Sequence, residues 1–171
     1  IGLTKGEYIL SVGRLTPEKG FEYLVEAVNK IDFVKHLVIA GAGDHGDAYL
    51  RQLKDLDINN KVTFTGFTFG ENLRQLYSHA RLYVLSSVNE GFPLVLLEAM
   101  NYKLPIIASN IPATDIPQLS ADNYFQTQNS DSLAEAIKRK LSDSQLICEY
   151  ELGEYDWDRI AEQTLEVYKG L

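Results

Sequence analysis

Six short runs of β-branched, aliphatic and aromatic residues alternate along the chain with stretches whose apolar residues fall at helical spacing, and this alternation restricts the fold more than any other feature. The runs are Tyr8 to Val12, Leu37 to Ala40, Val62 to Thr65, Leu82 to Leu85, Pro105 to Ala108 and Tyr124 to Gln126. Between them, Phe21, Leu24, Val25, Ala27, Val28 and Ile31 mark one helical face, Leu50, Leu53 and Leu56 a second, and Leu73, Leu76 and Tyr77 a third. Ser132 and Glu135 have the spacing of a capping box opening the helix that carries Leu133, Ala136, Ile137 and Leu141. Strands that read as unbroken apolar runs are covered on both faces, which calls for parallel pairing with right-handed helical crossovers. The expected fold is α/β, a doubly wound Rossmann-like parallel sheet of about six strands. Beyond Leu141 the pattern turns wholly helical, over Leu146 to Leu152 and Trp157 to Leu171, which adds C-terminal helices to the sheet.

With 171 residues, 45% of them hydrophobic, the chain can bury one core, and no repeat or Pro/Gly/Ser-rich linker divides it. Residues 1–171 are therefore expected to form a single domain. The formal net charge of −8 argues against nucleic acid or an anionic membrane as the main partner, so an anionic ligand must be met by local cations and main-chain donors. A lone cysteine, Cys148, and the absence of paired Cys/His spacing point to a reducing, cytoplasmic setting and to no metal site. Neither a membrane-spanning run nor a signal peptide is evident. Beginning at Ile1 rather than Met, the chain reads as a piece of a longer protein.

Open α/β sheets bind ligands in the crevice beyond the carboxyl ends of their strands, so the residues that follow each strand are the candidates for chemistry. The first strand runs into Gly13-Arg14-Leu15-Thr16-Pro17-Glu18-Lys19-Gly20, which places two cations at its end. Arg14 offers a planar fork and Lys19 a mobile point charge, a pair suited to clamping a diphosphate; the plainer alternative is two solvated loop charges. Gly41 and Gly43 follow the second strand, where they either permit a tight turn or let the backbone approach a ribose or base. Gly66 and Phe67 follow the third and are candidates for contact with the nucleotide, with Phe67 either core, the preferred reading, or the wall of a base pocket. His36, His45 and His79 lack metal spacing and a neighbouring nucleophile, and no G-x-S-x-G elbow supports a serine hydrolase.

After the fourth strand come Ser86 and Ser87 and then E-G-F-P-L-V-L-L-E, from Glu90 to Glu98. Pro93 suits the first position of a helix, leaving Glu90 in the feeding loop and Glu98 inside an element otherwise apolar nearly all round. A carboxylate there costs several kcal/mol unless donors satisfy it, and ligand hydroxyls would serve. The helix N-terminus opens onto the same crevice and favours anions.

Taken together, G-R-L-T-P-E-K-G, I-A-G-A-G, V-T-F-T-G-F, S-S-V-N-E-G-F-P-L-V-L-L-E-A-M and L-P-I-I-A-S resemble the C-terminal, donor-binding domain of group-one, family-four retaining glycosyltransferases. The closing Y-D-W-D-R-I-A-E-Q-T-L-E-V-Y resembles that family's final helix, so the likeness covers nearly the whole chain. It implies the two-Rossmann GT-B architecture and retaining transfer of a sugar from a nucleotide diphosphate, UDP- or GDP-linked, to an acceptor, with no metal and no separate cofactor. Arg14 and Lys19 would then neutralise the leaving diphosphate, with Gly13 allowing close approach. Glu98 would hold the ribose hydroxyls and Glu90 would meet the donor sugar. Main-chain N–H groups around Gly91, Phe92, Leu94 and Val95 would contact sugar or phosphates.

Pro93 stands where the family often has glycine, Asn101, Tyr102 and Lys103 replace its usual small residues, and Ser109 to Leu119 lacks a frequent glycine pair. The family also needs an N-terminal Rossmann domain that binds the acceptor, whether sugar, lipid or small molecule. Without it the chain should be inactive alone, and the stretch from Trp157 to Leu171 that packs toward that domain should expose apolar side chains such as Ile160 or Leu165, or bury them against a neighbouring copy. The alternatives are the C-terminal half of another GT-B enzyme, such as a nucleotide-sugar epimerase, or a non-catalytic nucleotide-binding module.

Overall fold

The computed structural model describes residues 3–43, 48–143 and 148–170. Strands β1 (Tyr8–Val12), β2 (His36–Ala40), β3 (Val62–Gly66), β4 (Leu82–Leu85), β5 (Ile106–Ser109) and β6 (Tyr124–Phe125) form one sheet in the order β3-β2-β1-β4-β5-β6. Every named pairing is parallel. The helices are α1 (Phe21–Asn29), α2 (Ala48–Leu56), α3 (Gly70–His79), α4 (Leu94–Asn101), α5 (Ser130–Ser142) and α6 (Trp157–Lys169).

Alternation along the strands divides the core into two layers. Ile9 of β1 and Leu82 and Val84 of β4 pack with Leu24, Val28, Leu133 and Ile137 on the face that carries α1 and α5. Tyr8, Leu10, Tyr83 and Leu85 pack on the other face with Leu76, Tyr77, Leu96 and Met100 of α3 and α4. Burial on both faces is why β1, β2, β4 and β5 carry no polar alternation, whereas the edge strand β3, half-buried throughout, alternates Val62, Thr63, Phe64 and Thr65. The order of the sheet also fixes where a ligand sits. From β1 the chain runs outward to β2 and β3, and from β4 it runs the opposite way to β5 and β6, so the loops after β1 and β4 diverge and leave a crevice between them.

Several local expectations are corrected. Helix α5 starts at Ser130, and its cap is Asn129, whose side chain accepts the Ser132 N–H at 2.9 Å. Ser132 therefore lies within the first turn, and its hydroxyl accepts the Gln126 N–H instead. Helix α4 starts at Leu94, with Pro93 in the non-helical cap position at φ −82° and ψ 83°. It buries Leu96, Ala99 and Met100 but exposes Leu94, Glu98 and Asn101, a stripe at i, i+4 and i+7, so it is amphipathic rather than enclosed. Residues 148–152 are not helical: the Tyr150 hydroxyl donates to Leu104 O at 2.9 Å and lays the segment beside the entry to β5. Leu146, like His45, lies outside the described residues.

Candidate functional site

The loop after β1 passes through Gly13 and Arg14 into a 3-10 turn, Pro17–Lys19, and the loop after β4 runs from Ser86 to Pro93. Two hydrogen bonds to main-chain oxygens fasten the two loops together. The Val88 N–H donates to Glu18 O at 2.8 Å, and the Ser86 hydroxyl donates to Lys19 O at 2.9 Å. Gly20, at φ 60°, lies so close to β4 that an added Cβ would sit 2.3 Å from Ser86 O. A side chain is excluded there by contact as well as by conformation.

This fastening aims Lys19 across the crevice. Its Nζ is 2.7 Å from Glu90 Oε1, and the side chains are only 18% and 9% exposed. The Ser87 hydroxyl donates to the same oxygen at 2.7 Å. Among the described residues Glu90 Oε2 takes no hydrogen bond, so one carboxylate oxygen is held and the other is left for a ligand. The aliphatic stem of Lys19 lies over Gly13, where a Cβ would meet its Cδ at 3.6 Å. Arg14 stands at the mouth with a 61% exposed side chain, its Nη2 3.5 Å from Glu18 Oε1. An exposed pair of that length contributes little to stability.

Gly41 proves to be a packing requirement, because a Cβ would fall 1.8 Å from Gly13 O. Its N–H donates to Gly66 O at 3.0 Å across a break in the β2–β3 register. Gly41, Gly43 and Gly66 then line a cavity of 600 Å³ together with Leu15, Tyr49 and Phe64. Phe67 is not core: it is 77% exposed, with its ring 5.6 Å from that of Phe69. It follows the left-handed turn at Gly66, φ 70°, just past the end of β3. Phe92 is exposed against the ring of Tyr155, and Gly91 has open space around it. Leu94 gives its N–H to Phe92 O and Leu96 gives its own to Pro93 O, so of the expected donors near the start of α4 that of Leu94 is already engaged.

Glu98 is not buried among apolar groups. It lies on the exposed stripe of α4, and its Oε2 accepts from the Tyr77 hydroxyl at 2.8 Å. Burial first, then Tyr83 and Glu98, pushes the Tyr77 phenol far above its ordinary range, which keeps it protonated and makes it the donor. Tyr83 beneath it is also pushed up, chiefly by burial and then by Glu98, with Glu90 adding to the effect. Sequence reasoning left Ser87 and Tyr77 without a role. Ser87 carried a signal, three residues ahead of Glu90. Tyr77 is twenty-one positions from Glu98 and looked like any apolar-face residue.

The chain matches the family described as glycosyl transferases group 1 over residues 2–155. It is 40% identical over 175 residues to an uncharacterized glycosyltransferase of Methanocaldococcus jannaschii, across 94% of this chain and 44% of that protein. It is 29% identical to an O-antigen chain mannosyltransferase of Salmonella typhimurium, across 91% of this chain and 45% of that one. Among solved structures, Anabaena HepE in complex with UDP and glucose superposes with a TM-score of 0.85 at 23% identity, across 98% of this chain and 49% of HepE. The chain thus spans about half the length of the relatives it matches.

Proposed function

Given that this chain belongs to the group 1 glycosyl transferases, we propose that it is the nucleotide-sugar-binding half of a two-domain GT-B enzyme that transfers a sugar, with retention, to an acceptor held by a separate N-terminal half. The observation that carries this reading is the Lys19–Glu90 pair across the switch-point crevice, with one Glu90 oxygen left for a ligand. Transfer breaks the bond between the anomeric carbon and a diphosphate oxygen, which departs with the electron pair and one further negative charge. The acceptor oxygen bonds to the anomeric carbon, and its proton passes to the departing diphosphate or to solvent. Fixed cations at the departing oxygens lower that barrier because they need no rearrangement as the charge develops.

Lys19 suits this work in two ways. Its ammonium carries three donor hydrogens, and with one on Glu90 the others are available to phosphate oxygens. It thereby links the sugar end of the donor, met by Glu90, to the diphosphate end. Arg14, at the mouth, closes on the diphosphate from solvent, and Glu98 takes the ribose hydroxyls. HepE, solved with UDP and glucose, makes a uridine donor the first to try. The reading needs no resident metal or cofactor.

Thermal shift against UDP, GDP and ADP tests the proposal. At one common concentration the preferred base declares itself by the largest rise in Tm, and a nucleotide at about 100 times its Kd stabilises the chain by roughly 2.7 kcal/mol. A flat response to all of them would remove the donor site from this chain.

A further inference from the structure

Glu98 sits on the solvent side of α4, where a glutamate ordinarily samples several rotamers, and holding one of them for a ligand subtracts from the affinity gained. We propose that Tyr77 is a positioning residue that holds the Glu98 carboxylate in its ribose-binding orientation. This rests on the reading of Glu98 as the ribose-binding group.

Three observations support it. The Tyr77 ring, 2% exposed, is stacked with two others: Tyr102 at 5.3 Å with 6° between planes, and Tyr83 at 5.9 Å with 30°. A buried ring with two stacked neighbours has little room to swing, so its hydroxyl is a fixed donor. That hydroxyl meets one carboxylate oxygen, Glu98 Oε2, and makes only a long contact of 3.4 Å with Val95 O besides. The other oxygen takes no hydrogen bond among the described residues. The carboxylate also opens onto a groove of 260 Å³ between α3 and α4, lined by Gly70, Leu73, Arg74, Tyr77, Glu98 and Tyr102, which is room for a small ring. Tyr102 caps the C-terminal end of α4, one turn beyond Glu98, so one short segment supplies both the surface that locks the ring and the acid that the ring orients.

The competing role is a clip that merely fastens α3 to α4. Tyr77→Phe separates the two, since it keeps the stack and removes only the oxygen. Kd values for UDP and for inorganic pyrophosphate are measured by calorimetry in four forms: the unaltered chain, Tyr77→Phe, Glu98→Ala and the double variant. The expected result is a rise in the UDP Kd of roughly three- to tenfold for Tyr77→Phe, an unchanged pyrophosphate Kd, and no further rise when Tyr77→Phe is added to Glu98→Ala. Tyr83→Phe, which removes a buried hydroxyl lacking a hydrogen-bond partner from the same stack, should leave both affinities alone. Unaltered UDP affinity in Tyr77→Phe, an equal loss for both ligands, or the same loss in the Glu98→Ala background would overturn the proposal. If the unaltered chain binds neither ligand, the donor-site reading fails and takes this one with it; if it binds both and Tyr77→Phe changes nothing, only this one fails.

Discussion

Glu90 and Glu98 belong to one short segment, yet the fold treats them in opposite ways. Glu90 is 9% exposed in its side chain and is fixed by Lys19, from a loop seventy-one positions away, and by Ser87. Glu98 lies on an outward stripe and is touched by one hydroxyl. The surroundings of Glu90 are part of what joins β1 to β4, so changes there register in stability and binding together. Those of Glu98 rest on a helix already secured by Leu96, Ala99 and Met100, so changes there register in binding alone. The mouth of the crevice is built by the fold, whereas the side that carries Glu98 is attached to it.

The strongest test of that contrast is Gly20→Ala. Alanine in the left-handed region costs roughly 1–2 kcal/mol, and the added Cβ also meets Ser86 O at 2.3 Å. We expect about 2–4 kcal/mol of stability to be lost in urea unfolding. A variant as stable as the parent would mean that the two loops are not fastened, and the contrast with Glu98 would collapse.

Lys19→Met comes next. It leaves Glu90 largely buried with Ser87 as its remaining partner, a loss of about 2–3 kcal/mol. Wild-type stability would place this pair with the exposed ion pairs of the surface, such as Lys30–Asp131. Arg14→Ala sharpens the comparison within the mouth itself. Its exposure predicts a stability change within about 0.5 kcal/mol, while nucleoside-diphosphate binding falls by about 1.5–3 kcal/mol in calorimetry. A large drop in stability with unchanged affinity would make Arg14 structural. Glu98→Gln keeps the shape and removes the charge, so folding should persist while nucleoside affinity falls by about 1 kcal/mol and pyrophosphate affinity stays. Equal losses would take Glu98 away from the ribose.

The sequence reading captured what depends on local pattern and failed where distant residues decide. Continuous apolar runs placed the strands to within a residue or two, and the rule for crevices pointed to the loops after β1 and β4 before any contact was known. The Lys19–Glu90 pair was out of reach as a pair, because nothing in either loop encodes a partner so far along the chain. Glu98 was misjudged for a local reason: counting apolar residues over one helix hid the Leu94, Glu98, Asn101 stripe that turns outward. The preference for Phe67 as core failed because aromatic character was taken for burial, which is a tendency and not a rule. Asn129 was overlooked since Ser132 and Glu135 fit a capping pattern three residues further on, one turn inside the helix that forms.

The smallest expected effect concerns a second unequal pair, α5 and α6. Both have thirteen residues and a capping side chain, Asn129 in one and Asp156 in the other, yet α5 buries Leu133, Ala134, Ala136, Ile137 and Leu141 while α6 buries nothing. Its Trp157, Leu165, Val167 and Tyr168 are exposed, although its pattern is strongly amphipathic. Stability in such a helix comes from what covers the apolar face, and the proposed two-domain enzyme supplies a cover in its N-terminal half. Leu165→Ala in this chain should therefore shift stability by less than about 0.5 kcal/mol, against the 2–5 kcal/mol typical of a core leucine such as Leu133. Chemical unfolding of the two variants side by side decides it. A loss of more than about 1 kcal/mol for Leu165→Ala would mean that the face is already covered in solution by a second copy, which sedimentation would then detect as a dimer that the variant weakens.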